Sequence, residues 1–571
     1  MTDLKRCLGV VVAGMLACGF TAAARAQSVR FEINASGPTK PISPYIYGRN
    51  NHEQLDGQWD NQRMTRLGGN RYTAWNWVTN DSNAGADYHH QNDGHMGPRQ
   101  TGYPVRNVVQ RSGMTNAATL ITVPMAGYVA ADRNGGGASG GDVALSPNFL
   151  QTRFRESLPR KNAAFSLTPG FSNTRVYQDE FVHWVENVAR QNPSQPIWYA
   201  LDNEPDLWAE THPRLRQHLS NPRTTYTELR DRTVAYAGAI KDVAPGTIVF
   251  GAVNYGWGGY RNLQQAPDAA SHQPTDFHQW FLSRMNQAHQ QHGRRLVDAL
   301  AIHYYSEARD ANNVRIIGGS QSNPTRQSID TRVQAARSLY DPTYVENSWI
   351  TRDSLRGAAI NLLPRTLGDI EAFYPGTKLA ITEYGFGGAE HISGAIAQAE
   401  SLGAFGSHGV FAASWWLGDP AGPSFRYVRG AMDMYLSFDG QGGRFGDLSI
   451  GASTSDISRS AIFASRDSRD PSRIVLIAIN RTAGALGAMI DLNLAGLMSQ
   501  APVYQLTSAG PAPVYAGSLS ISGSGFDYTM PAYSVSTIVL TVPEPAAMGS
   551  ILGAGALLLQ RRRAGVRGDR P

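Results

Sequence analysis

The chain has 571 residues, of which 17% are charged, 9% are aromatic and 59 are glycine. That length exceeds one compact core and suits a large domain joined to a smaller one, and the low charge with many rings excludes a disordered chain. The net charge of +5 resides at the two ends; without residues 1–26 and 546–571 acids and bases nearly balance, so no basic face for nucleic acid is called for.

Residues 1–26 join Lys5 and Arg6 to an apolar run over 8–20 and to Ala24-Arg25-Ala26. This is the pattern of a secretory signal peptide with a small-x-small cleavage site; lipid attachment at Cys18 is the alternative. Cys7 and Cys18 are the only cysteines. The mature chain then has no disulfide and rests on a large core. Within residues 27–44, the run 29–33 predicts a strand that joins the C-terminal domain.

From 45 to 435 short apolar runs alternate with longer amphipathic stretches. Strands are predicted at 45–49, 69–74, 118–125, 197–201, 248–253, 299–304, 378–381 and 410–415. Their near-continuous apolar character fits burial on both faces, hence a parallel sheet. Helices are predicted over 179–190, 226–241 and 277–291, with Asp179 and Thr227 as caps and Gly293 as a stop. Eight βα units read as a TIM (β/α)8 barrel, an α/β fold with its chemistry at the C-terminal strand ends. Leu67-Gly68-Gly69 lacks the glycine pattern of a dinucleotide-binding sheet. Over 436–541, Ser and Thr alternate with Val and Ile between closely spaced turns. This predicts a β-sandwich with strands at 461–464, 473–480, 488–492, 503–506 and 534–540.

Residues 542–571 run from Val542-Pro543-Glu544-Pro545 through an apolar stretch, 546–559, to Arg561-Arg562-Arg563. The stretch is short against the ~20 residues of a usual membrane helix. The order of the three parts resembles the PEP-CTERM sorting signal of exported bacterial proteins. That implies a short transmembrane helix, transient anchoring, and processing by signal peptidase and an exosortase-type enzyme. The expected place is outside the cell, either secreted or at the cell surface with exopolysaccharide.

Asp202-Asn203-Glu204-Pro205 follows the run 197–201, and Thr382-Glu383-Tyr384-Gly385 follows 378–381. Each sets a carboxyl group where a buried strand surfaces. Two such groups are what glycosidic cleavage needs, one holding a proton and one ionised. Asn203 offers an amide to a sugar 2-hydroxyl. Pro205 is expected to hold Glu204 extended. The bland reading of the first string is an ordinary strand-to-loop turn, and of the second a glutamate that satisfies local backbone amides. Trp75, Trp77, Trp257, Tyr305, Trp415 and Trp416 also follow strands, where rings stack on sugar faces; core filling is the alternative. The string His303-Tyr304-Tyr305 could place a tyrosine hydroxyl against a nucleophilic carboxylate, and His303 itself reads equally well as a packed core residue. No cofactor or metal is required. His89, His90 and His95, and His289 with His292, read as surface histidines rather than zinc ligands, and the loop 132–134 has oxygens suited to a structural calcium.

Taken in order, Gly68-Gly69-Asn70-Arg71 with Trp75-Asn76-Trp77, Asp202-Asn203-Glu204-Pro205-Asp206-Leu207-Trp208, Ile381-Thr382-Glu383-Tyr384-Gly385 and Ser414-Trp415-Trp416 resemble glycoside hydrolase family 44. Phe445-Gly446-Asp447 and Ala464-Ser465-Arg466-Asp467 resemble the start of its sandwich domain. The resemblance covers about residues 28–541. It implies endo-cleavage of β-1,4-glucans, including xyloglucan, with retention. Glu204 would be the acid/base, Glu383 the nucleophile, and Arg71 a substrate contact. The family usually appends carbohydrate-binding or docking modules; here the sorting tail follows directly. The expected enzyme is a monomeric endoglucanase acting on a β-glucan polysaccharide. A mannanase or xylanase of the same clan, or a glycan-binding surface protein without catalysis, are the alternatives.

Overall fold

The computed structural model describes residues 28–50, 62–133, 141–416, 425–493 and 497–541. The expected signal peptide and sorting signal lie outside them, as does Asn134 of the proposed calcium loop. Among the described residues no helix is long and apolar enough to cross a membrane.

The first strand, β1, is Val29–Pro41. Eight strands then close a barrel: β2 Gly48–Asn50, β3 Met64–Leu67, β4 Ala118–Val123, β5 Ile197–Leu201, β6 Val249–Asn254, β7 Ala299–Tyr305, β8 Lys378–Gly385 and β9 Ala412–Trp415. Each pairs in parallel with the next in chain order, and β9 pairs with β2. Helices such as Tyr226–Val243, Phe277–His292 and Ile392–His408 run between strands. The fold is a TIM barrel.

Inward-facing positions recur every second residue. Met64, Ala118, Leu120, Trp198, Ala200, Phe250, Ala299, Ala301, Ala380 and Ala412 fill the interior as one cluster. Trp198 packs edge-on against Tyr45 and tilted against Phe411, plugging the N-terminal end. Two residues further along the same faces, Met64 gives way to Arg66 and Ala301 to His303. The barrel is therefore apolar below and polar at its C-terminal mouth.

The strand expected at 69–74 is instead β3, five residues earlier, and Asn70–Thr73 forms a helical turn. Arg66 interrupts the short apolar run and disguised it. Two caps also differ. Thr225, not Thr227, accepts from the Glu228 amide, and Gln178–Trp184 starts after Tyr177 with no side-chain cap.

The second sheet has nine strands. They are β1, β10 Leu448–Thr454, β11 Ser460–Arg466, β12 Arg473–Asn480, β13 Leu486–Asp491, β14 Leu497–Thr507, β15 Gly510–Gly523, β16 Gly525–Met530 and β17 Ser534–Thr541. β1 pairs antiparallel with β10 and parallel with β13, so the start of the described chain is built into its C-terminal domain. β10 and β15 escape the sequence reading because Gly and Ser, with Pro in β15, dilute their apolar pattern, and β16 is a short strand of only three inward residues, Phe526, Tyr528 and Met530.

All nine strands send residues into one core, so the sheet curls over itself. β12 shows how the two domains join. Ile474, Leu476 and Ala478 face that core, while Val475, Ile477 and Ile479 belong to the barrel cluster. Burying each large side chain contributes roughly 1.5–3 kcal/mol. Glu400 on Ile392–His408 and Arg481 after β12 are fully buried and bonded at 2.5 and 3.0 Å. Tyr340 donates to the same carboxylate at 2.9 Å.

Candidate active site

Glu204 leaves β5 through an unusual turn. Asp202 and Glu204 both have left-handed backbones, at φ 65° and 42°. Pro205 does not hold Glu204 extended, as the sequence suggested; it opens a short 3-10 turn over Pro205–Leu207. Such backbones cost about 1–3 kcal/mol each. The neighbouring structure holds them in place. Asp202 accepts from Thr73 Oγ1 at 2.6 Å, from the Asn203 amide at 2.8 Å, and from the Met125 and Ala126 amides at 2.6 and 3.1 Å. The Glu204 amide donates to the Val253 carbonyl at 3.1 Å.

Glu383 projects from β8. Its Oε1 accepts from Arg66 Nη1 at 2.7 Å and its Oε2 from the Tyr305 hydroxyl at 2.7 Å. Both oxygens act as acceptors, the state of an ionised carboxylate. Arg66 also donates to Asn50 Oδ1 at 2.9 Å and to Asn203 Oδ1 at 2.8 Å. One guanidinium thus orients residues from β2, from β8 and from the loop that follows β5.

His303, at the top of β7, lies between the two acids. Its Nδ1 is 2.9 Å from Glu204 Oε1 and 3.5 Å from Glu383 Oε2. Ligand atoms of Glu204, His303 and Glu383 all lie within 4.8 Å of one another. Burial pushes the His303 imidazole down to about 3, so it is neutral. Burial raises the Glu204 carboxyl to about 7; Arg66 opposes the rise and Asp87 adds to it. Burial, then the charge of Glu204, raises Asp206 to about 8. The trio could offer a cation three atoms, but the Arg66 guanidinium already occupies Glu383 and repels a metal ion. Asp132 of the proposed calcium loop accepts from Arg153 through both oxygens, at 2.8 and 2.6 Å.

The other expected contacts divide. Asn203 faces the site, held by Arg66 and Asn70. Trp416 is half-buried and stands against Gly69, whose φ of +89° and missing side chain leave room for the ring. Trp75 and Trp77 are corrections. Both are fully enclosed, packed on Phe181, and Trp77 also on Trp184. They fill core and present no face to a ligand. Arg71 is paired with Asp93 at 3.1 Å. Trp257 is 5% exposed and donates to Ser354 at 2.8 Å, and Trp415 packs on Phe425. Arg66, Asn50, Asp202 and Asp206 escaped the sequence reading as site residues. The signal for Arg66 was a lone charge inside an apolar run just before Gly68-Gly69.

A pair of carboxyl groups this close, at the mouth of an eight-stranded parallel barrel, defines a glycoside hydrolase, and the comparisons with known proteins agree. The model of glycoside hydrolase family 44 matches residues 81–308. Endoglucanase A of Paenibacillus lautus is 36% identical over 93% of this chain and 75% of its own length. Beta-mannanase/endoglucanase A of Caldicellulosiruptor saccharolyticus is 36% identical over 85% of this chain, which spans only 36% of that longer relative. Among solved structures, a Paenibacillus polymyxa family 44 xyloglucanase in complex with xyloglucan superposes with a TM-score of 0.82 at 35% identity, covering 90% of this chain and 100% of that one. The family 44 endoglucanase of Clostridium thermocellum gives the same TM-score, identity and coverage. The chain belongs to glycoside hydrolase family 44.

Proposed function

We propose that this chain is an exported, retaining endo-β-1,4-glucanase acting on cellulose-type glucans or xyloglucan. The observation that carries the mechanism is the approach of the Glu204 and Glu383 carboxyl oxygens to within 4.8 Å. Retaining enzymes set their carboxyl groups ~5–5.5 Å apart and inverting ones ~6.5–9.5 Å, leaving room for a water. Glu383 attacks the anomeric carbon as the glycosidic bond breaks. Glu204 gives its proton to the departing oxygen. A water then enters, Glu204 takes its proton, and the oxygen displaces Glu383 from the sugar. Arg66 and Tyr305 hold the nucleophile in position throughout. Asn203 is placed to meet the sugar 2-hydroxyl, and Trp416 to stack on its face.

The substrate rests on relatives named endoglucanase and xyloglucanase. A second reading, mannan or xylan cleavage, is favoured by the relative named beta-mannanase/endoglucanase and by a bifunctional glucanase-xylanase, 28% identical with a TM-score of 0.73. A reducing-sugar assay across xyloglucan, carboxymethylcellulose, xylan and mannan separates them. Release from the first two supports the proposal; release from xylan or mannan alone overturns it. Export rests on the terminal sequence patterns, with signal peptidase and an exosortase-type enzyme as partners. It predicts a mature N-terminus at Gln27.

A further inference from the structure

The turn that carries Glu204 is clamped from both sides by carboxyl groups of its own. Asp202, two residues before Glu204, accepts from the Met125 and Ala126 amides that follow β4. Asp206, two residues after it, accepts from the Tyr255 amide that follows β6, at 3.3 Å to each oxygen. β4 and β6 are the strands that flank β5 in the barrel. We infer that Asp206 is a positioning residue for the proton donor: through the Tyr255 amide it fixes the backbone from which Glu204 reaches the leaving oxygen. This rests on the glucanase reading, in which Glu204 is that donor.

Glu204 depends on its backbone for direction. Two donors from other strands, Arg66 and Tyr305, grip the Glu383 carboxylate. The Glu204 carboxyl instead meets His303 Nδ1 at 2.9 Å, and its own φ of 42° is left-handed. A strained backbone persists only where its surroundings over-determine it. Here the Glu204 amide is tied to the Val253 carbonyl at 3.1 Å, Thr224 Oγ1 donates to the Pro205 carbonyl at 2.6 Å, and Asp206 closes the turn against the end of β6.

The fold makes room for this carboxyl. Asp206 is 5% exposed and lies against Gly259 of the short helix Trp257–Asn262, where a Cβ would fall on Asp206 Oδ2. Burial keeps its proton on to about pH 8, so the Tyr255 amide meets a neutral carboxyl. A carboxamide oxygen can accept the same bond. Asp206→Asn therefore preserves the contact and Asp206→Ala deletes it.

The test is the dependence on the leaving group, measured on the full-length enzyme. The departing oxygen of cellotetraose needs a proton, whereas 2,4-dinitrophenolate departs from its β-cellobioside without one. A residue that only stabilises the fold would slow both substrates alike. A general acid contributes ~10²–10⁴, so the ratio of kcat/KM for cellotetraose to that for the aryl cellobioside should fall roughly tenfold or more in Asp206→Ala. Asp206→Asn should restore most of it. Gly259→Ala drives a methyl onto the carboxyl and should lower the ratio in the same way, so it serves if Asp206→Ala fails to fold. An unchanged ratio in soluble, folded variants overturns the assignment, as does a ratio in Asp206→Asn as low as in Asp206→Ala. Glu204→Ala separates the two readings. An unchanged ratio there would remove Glu204 as the donor, and this inference with it; a fall there with none in the Asp206 and Gly259 variants removes this inference alone.

Discussion

Arg66 and Glu383 form a buried ion pair 2.7 Å long, with side chains 0% and 6% exposed. Arg66 comes from β3 and Glu383 from β8, which are not neighbours in the barrel. The guanidinium crosses the mouth and, through its other nitrogen, also holds Asn203 beside Glu204. One side chain thus holds both Glu383 and the residue next to Glu204.

Replacing Arg66 with Lys keeps the charge and loses the fork that serves Asn50, Glu383 and Asn203 at once. We expect kcat to fall by roughly 10²–10³, the usual cost of losing one preorganised donor. Arg66→Met should also destabilise the fold by ~3–5 kcal/mol, because Glu383 is left buried and unpaired. Steady-state kinetics and urea denaturation report the two effects separately. Arg66→Lys within threefold of wild type would contradict the positioning role.

The Glu204 carboxyl, raised to about 7, must hold a proton to serve the first step. Activity should therefore decline as pH rises through about 7. Asp87 adds to the rise, so Asp87→Asn should move this basic limb of kcat/KM to lower pH. A shift upward, or none, would contradict the assignment of the limb to Glu204.

Asp206 has an ordinary value of 3.8 and is raised by burial to about 8. The folded protein then keeps a proton that the unfolded chain gives up. This contribution is full below pH 3.8 and is lost as pH climbs toward 8. Asp206→Asn removes the ionisation at little change of shape. Its thermal midpoint should fall less between pH 5 and 8 than that of the wild type. Equal slopes would show that Asp206 does not titrate in this window.

Glu400 and Arg481 tie barrel to sandwich with no solvent contact on either side chain. Breaking the pair by Arg481→Met should cost ~3–5 kcal/mol, whereas removing both charges should recover much of the loss. Denaturant curves of the two single variants and the double variant make the comparison. Simple additivity would mean that the pair contributes nothing as a pair.

The strings around Glu204 and Glu383 could be read because their chemistry is local: an acid, an amide and a turn at the end of an apolar run. The barrel was legible because β5 is an unbroken apolar segment and apolar runs lead β7 and β8 up to His303 and Glu383. Arg66 was not, because an inward charge erases the pattern that reveals a four-residue strand. Trp75 and Trp77 misled because residue type does not say which side of a segment meets solvent. They turn into the core against Phe181. The split roles of β12, serving two cores through alternate residues, read from sequence only as one apolar run.

The central claim is that Glu204 and Glu383 act on one glycosidic bond by double displacement. Proton NMR of the anomer first released from a soluble β-glucan tests it most directly. The β-anomer should appear before mutarotation adds the α-form; an α-anomer appearing first would contradict the account.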